Sequence, residues 1–105
     1  MTHSLVWLEQ ADADLDAFYQ WIAHRADPET ALRFVLGIEA AGENLADFPR
    51  RGRLRMEIHP GLRSIPFART VTSFYAVVAN EVRIVRVLHA RRDTAAAFDE
   101  ADPAP

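Results

Sequence analysis

His89 closes a β-branched, apolar run and is followed by Ala90, Arg91 and Arg92. Imidazole titrates near neutrality, so His89 is the obvious proton carrier in the chain, with Glu57 and Tyr75 as further groups able to exchange protons. Arg63, Arg86, Arg91 and Arg92 supply cations that could offset charge developing on a phosphorane. A base, an acid and clustered cations are the ingredients for cleaving RNA through attack of a ribose 2′-OH. The plain alternative for His89 is a strand-end imidazole bonded to Asp93 or to a backbone carbonyl, the commoner fate of a lone histidine. His3, His24 and His59 share no metal-ligand spacing with each other or with acids, and there is no cysteine. Neither a metal site, a disulfide framework nor a cofactor is expected.

The charges are strongly segregated. Ten of the twelve arginines lie between Arg50 and Arg92, where Glu57 and Glu81 are the only acids, so that stretch carries +8. Residues 1–49 carry −7 and residues 93–105 carry −4, and the total of −3 conceals this polarity. Such a pattern suits a basic face that meets an acidic partner. Phosphate would be repelled by the flanking acidic regions, and no helix-turn-helix or aromatic RNA-binding signature is present, so direct nucleic-acid binding is not expected. Arg51, Arg53 and Arg55 alternate and would serve equally as a solvated strand edge. Arg86, flanked at two-residue spacing by Ile84 and Leu88, either pairs with a buried acid such as Asp93 or opens into a groove; the groove is the reading adopted. Arg91 and Arg92 are placed to engage a target, against the alternative of a surface ion pair with Asp93 or Glu57 contributing under about 1 kcal/mol.

Elements that would position these groups follow from periodicity. A chain of 105 residues, half of them hydrophobic, is one domain with one core, here residues 1–99, followed by an acidic flexible tail at 100–105. Residues 3–8 form an opening strand. Leu15, Phe18, Tyr19 and Ile22 fall on one helical stripe over 9–25, with acids crowding the first turns. Asp27 caps a second helix whose first position suits Pro28, and which runs to the residue before Pro49. Beyond Pro49 the period falls to two. Strands are expected at 54–58, 62–67, 72–79 and 82–89, with turns at Pro60-Gly61 and Asn80-Glu81 and a short helix over 93–98. The fold class is α+β: a helical hairpin on one face of a mainly antiparallel sheet of four to five strands. Tyr75 and Phe74 occupy opposite strand faces, so one is a core residue and the other a partner anchor. With neither a secretory signal nor a membrane-length apolar window, a cytoplasmic location is expected.

These elements carry a resemblance. Trp7, the Ala11…Asp14-Leu15…Tyr19…Ile22 helix, Ala31…Phe34, Leu45…Pro49 and Arg51-Gly52-Arg53 follow one another in order. Pro60-Gly61-Leu62-Arg63-Ser64-Ile65-Pro66, Phe74-Tyr75 and Val85-Arg86-Val87-Leu88-His89-Ala90-Arg91-Arg92-Asp93 complete the set. The ordered set resembles the RelE/ParE superfamily of toxins from type II toxin–antitoxin systems, most closely its ParE-like branch, the plasmid stabilisation proteins. That resemblance implies a toxin neutralised by a cognate, ParD-like antitoxin, with DNA gyrase as target and inhibition by binding rather than chemistry. The alternative it implies is a RelE-like, ribosome-dependent mRNA endoribonuclease using Arg63, His89 and Glu57. Ribonucleases of that branch resemble one another in clustered lysines and a late tyrosine. This chain has no lysine, and Tyr75 is its last tyrosine. An inactivated toxin domain kept as an interaction module is a third reading. For target binding the expectation is Arg91, Arg92 and His89. For antitoxin binding it is Arg63, Tyr75, Arg83, Val85, Arg86, Val87 and Trp21, with alternate residues of the last strand facing an open groove.

Overall fold

A computed structural model describes residues 3–91 and Phe98. Strand β1 (Ser4–Trp7) leads into helix α1 (Glu9–Arg25) and helix α2 (Pro28–Asp47), followed by β2 (Arg53–Leu54), β3 (Leu62–Phe67), β4 (Val71–Val78) and β5 (Glu81–His89). The helix boundaries coincide with the sequence signals. Glu9 and Asp12 sit in the first turn of α1 and His24 and Arg25 in its last, each complementing the helix dipole. Asp27 caps α2: its carboxylate accepts from the Thr30 N–H at 2.7 Å and from the Thr30 hydroxyl at 3.0 Å. The Thr30 N–H holds the Asp27 carboxyl below its usual range. None of the described helices is long and apolar enough to cross a membrane.

The sheet runs β1-β5-β4-β3-β2. Its three consecutive pairings from β2 to β5 are antiparallel, whereas β1 lies parallel to β5, because the helical hairpin carries the chain back over the sheet between them. Both helices cover one face, called inner below. Leu15, Ile38, Leu45, Val71, Tyr75 and Ile84 form the buried centre between helices and sheet. Close approach of α2 requires glycine: a Cβ on Gly42 would stand 2.8 Å from the Trp7 ring.

Three strand-level expectations are corrected. The strand expected at 54–58 is only Arg53–Leu54. After the Arg55 N–H bonds to the Leu62 carbonyl, the chain coils, with the N–H groups of Ile58 and His59 both returning to the Arg55 carbonyl. The turn that follows is the expected one: the Leu62 N–H reaches the His59 carbonyl at 3.2 Å, and Gly61 takes φ +82°. The last hairpin turns at Ala79-Asn80, one residue early, with Ala79 at φ 54°. The helix expected over 93–98 lies, except for Phe98, outside the described residues, as does the 100–105 tail.

The third correction concerns which face each β5 residue serves. Pairing runs Tyr75 with Ile84 and then Phe74 with Arg86, so Val85 is an extra residue in β5. The bulge reverses the alternation beyond it. Arg83 and Val85 lie on the outer side, whereas Val87 and His89 fall on the inner side with Ser73 and Val71. Val87 is fully buried in the main core rather than lining an open groove. Phe74 does not anchor a partner either. It is buried on the outer face with Leu62 and Leu88, beside Ile58 and Phe98, whose ring meets it edge-on at 5.2 Å.

Candidate functional site

Two surface features emerge from this framework. The first is a groove of about 700 Å³ on the outer face. Leu62, Ala76, Val78 and Val85 contribute apolar surface from three strands, Leu8 and Glu9 from the entry to α1, and Arg86 from β5. The second is the end of the molecule where β5 leaves the sheet. There Trp21, on α1, is 44% exposed. The Arg25 guanidinium lies 4.8 Å from its ring centroid, and the His89 ring meets it edge-on at 6.1 Å. Arg91, exposed, donates its backbone N–H to His89 Nδ1 at 3.3 Å.

The candidate residues divide between these features and the scaffold. Arg86 is buried against α1. Its Nε donates to Asp14 Oδ2 at 2.8 Å and its Nη2 to Asp14 Oδ1 at 3.0 Å, and the same Oδ2 accepts the Val87 N–H at 2.8 Å. The open-groove reading of Arg86 is therefore corrected: its head group is held in an ion pair, and only part of the side chain borders the groove. Asp14 does for β5 what a neighbouring strand would do, because β1 ends at Trp7, opposite Ile84. In the sequence Asp14 belongs to the set of α1 residues that carries the resemblance, but nothing there pairs it with Arg86.

Tyr75 and Arg63 act on the crossover from α2 to β2. The Tyr75 hydroxyl donates to the Pro49 carbonyl and accepts from the Gly52 N–H, both at 2.8 Å. Arg63 donates to the Gly52 carbonyl at 2.7 Å and to the Arg50 carbonyl at 3.2 Å. Tyr75 is fully buried, so the expectation that it meets an antitoxin side chain is corrected. Burial pushes its hydroxyl above the ordinary pKa of 10.0, although the Gly52 N–H and the Arg63 and Arg51 charges pull the other way. A raised value means that the folded state holds the proton more tightly. The resulting stabilisation is complete below pH 10.0 and is lost as pH climbs toward the folded value. Tyr75→Phe should lower unfolding free energy by about 1–3 kcal/mol, since two backbone groups lose their partner. It should also flatten the loss of stability above about pH 10 in denaturant titrations. A wild-type-like midpoint at neutral pH would contradict the clamp.

The three groups an RNA-cleaving site would need are not brought together. Arg63 lies opposite Tyr75 and His89 opposite Val71. With four residues along β4 and two strand spacings between them, their Cα atoms are roughly 16 Å apart. Glu57 bonds Arg55 at 2.7 Å, and the Arg55 guanidinium lies 5.5 Å from the centroid of the outer-face ring of Phe74. That hydrogen bond from Arg55 holds the Glu57 carboxyl below its usual range, unlike a group poised to exchange protons near neutrality. His89 faces the opposite side of the sheet, against α1. Of the arginines expected to engage a target, Arg91 is exposed beside His89, and Arg92 lies outside the described residues. Arg83 is half-exposed on the outer face, paired with Glu81 at 2.8 Å.

Comparison with known proteins adds independent findings. The family model described as "ParE toxin of type II toxin-antitoxin system, parDE" matches residues 5–94. Toxin RelE2 of Caulobacter vibrioides is 35% identical over 88 residues, which are 84% of this chain and 96% of that protein. Toxin RelE1 of the same organism is 30% identical over 92 residues, 85% of this chain and 95% of its own length. Among solved structures, the chromosomal ParDE toxin–antitoxin system from P. aeruginosa superposes with a TM-score of 0.77 at 30% identity, covering 86% of this chain and 98% of that one. The toxin–antitoxin complex RelBE2 from Mycobacterium tuberculosis, with a TM-score of 0.56 at 24% identity over 85% of this chain and 99% of that one, is similar in fold.

Proposed function

We propose that this chain, which belongs to the ParE toxin family of type II toxin–antitoxin systems, inhibits DNA gyrase by binding it and performs no chemistry of its own. The observation that carries this reading is the separation of Arg63, Glu57 and His89. One clamps a loop, one is tied to Arg55 on the outer face, and one lies against Trp21. General acid–base catalysis needs its groups within hydrogen-bond reach of one reacting centre, or one water from it. What remains accessible is a cationic, partly aromatic surface suited to docking. Toxin fixed to a sensor surface should capture purified gyrase, with association that slows as salt rises because the attraction is electrostatic. Absence of capture at low salt would count against gyrase as the target.

Neutralisation is assigned to the outer-face groove and to a ParD-like antitoxin. An amphipathic segment with acidic side chains would cover the apolar floor around Ala76, Val78 and Val85 and meet Arg83 at its margin. Helix-in-groove docking is favoured over strand addition. The β5 edge beyond β1 is met by Asp14, and Pro66 on β3 has no N–H to offer an added strand. Val85→Asp or Arg83→Glu should weaken antitoxin binding about tenfold or more in calorimetry while leaving the fold intact. Unchanged affinity in both would move the interface to another face. Val87, expected from sequence to serve this interface, would report on core stability instead.

A further inference from the structure

The turn between β3 and β4 holds two consecutive non-glycine residues in the left-handed region, Ala68 at φ 52° and Arg69 at φ 61°. The Thr70 N–H bonds back to the Phe67 carbonyl at 3.2 Å, closing a turn whose central positions ordinarily favour Asn and Gly. A β-carbon resists this conformation, so the surroundings must hold it, and such strain is commonly retained where a side chain serves a function. The turn is not isolated. The Ala90 N–H bonds to the Thr70 carbonyl at 2.8 Å, and Val71 is paired with His89. Arg69 therefore stands at the same end of the sheet as the β5 exit, beside which α1 brings Trp21 and Arg25.

We infer that Trp21, Arg25, Arg69, His89 and Arg91, drawn from three separate elements, form one docking surface for an acidic patch on a folded protein. This deepens the proposed function, on which it rests, by giving the target's chemistry: carboxylates set around a hollow that accepts an indole. Trp21 thereby moves from the antitoxin interface to the target interface. Trp and Arg are the residue types that dominate binding energy at protein interfaces. Here an exposed indole already lies under one guanidinium, with Arg69 and Arg91 both exposed at the same end. A folded protein is favoured over nucleic acid because Asp27 and Glu29 open α2 immediately beside Arg25. A continuous phosphate backbone would run against them, whereas carboxylates placed singly on a protein can meet Arg69 and Arg91 and leave Asp27 and Glu29 facing solvent.

The test compares wild type with Trp21→Ala, Arg91→Glu and Arg69→Gly in four measurements: growth arrest on induction, affinity for the cognate antitoxin, inhibition of purified gyrase, and retention of a linear DNA duplex. Each variant should need about 30-fold more toxin for half-maximal arrest, with antitoxin affinity held within about twofold of wild type. Arg69→Gly should in addition raise the melting temperature, since glycine relieves the left-handed strain while removing the cation. Undiminished arrest in all three variants would overturn the surface. So would a loss of antitoxin affinity matching the loss of arrest, which would give the surface to the antitoxin. Duplex retention by wild type that the variants lose would assign it to nucleic acid and overturn the protein-docking proposal. If wild type leaves gyrase unaffected while the variants still lose arrest, gyrase fails as target and the surface stands. A wild type without any effect on growth would overturn both.

Discussion

Asp14→Ala is expected to destabilise the protein by about 3 kcal/mol, a large share of the roughly 5–15 kcal/mol that holds a domain of this size together. Two losses combine. The carboxylate that faces the buried Arg86 guanidinium at 2.8 and 3.0 Å disappears, and the Val87 N–H on the open edge of β5 loses its acceptor. Breaking a buried pair from one side costs more than the pair itself contributes, because the charge left behind is still desolvated. A double variant, Asp14→Ala with Arg86→Met, should therefore recover part of the loss, with the cost of the Val87 N–H still standing. Chemical denaturation of the single and double variants reads this directly. A double variant no more stable than Asp14→Ala alone would show that the buried charge is not the source of the damage.

Gly52→Ala is the second large effect, expected at about 2–4 kcal/mol. An added Cβ would stand 2.5 Å from the Tyr75 hydroxyl and 2.8 Å from the Ser64 carbonyl oxygen. The hydroxyl has no slack, since it already bridges Pro49 and Gly52, and the carbonyl belongs to β3 backbone. Relief requires the crossover loop to withdraw, which also breaks the hydrogen bonds Arg63 makes to Gly52 and Arg50. If Gly52→Ala melted like wild type, the loop would have to be far more yielding than this network implies. Gly52→Ala and Tyr75→Phe act on the same contacts, so their combined cost should fall short of additive.

Much of the scaffold was legible because local signals agreed with it. The Asp27-Pro28 start of α2, the Pro60-Gly61 turn, and both helices of the hairpin are dictated by capping, proline geometry and a 3.6-residue period. The parallel place of β1 beside β5 was not legible, since a short apolar run names no neighbour. Residues 54–58 read as a strand because Leu54, Met56 and Ile58 alternate with charges. In the structure the Arg55 carbonyl gathers the next N–H groups into a coil, and the Met56 sulfur receives the Gly61 N–H at 3.4 Å.

The candidate site was half legible for a related reason. Arg91, His89 and Trp21 all stand out by residue type, yet no local pattern reveals that α1 sets the Trp21 ring beside His89. The bulge at Val85 carries no glycine to announce it, so simple alternation placed Val87 on the wrong face. Tyr75 looked like a surface anchor because its two hydroxyl partners come from a loop 23 to 26 residues earlier in the chain. Arg69 went unnoticed, since no period or motif marks an arginine that will be held at positive φ.

On the proposed reading this toxin docks onto gyrase and does not cut RNA. Purified, folded toxin titrated against gyrase in a plasmid supercoiling assay, with cognate antitoxin added afterwards, separates the two activities. Docking onto gyrase gives a dose-dependent loss of supercoiling that the antitoxin restores. Full supercoiling in the presence of excess folded toxin, together with new 5′ ends in the mRNA of induced cells, would contradict it.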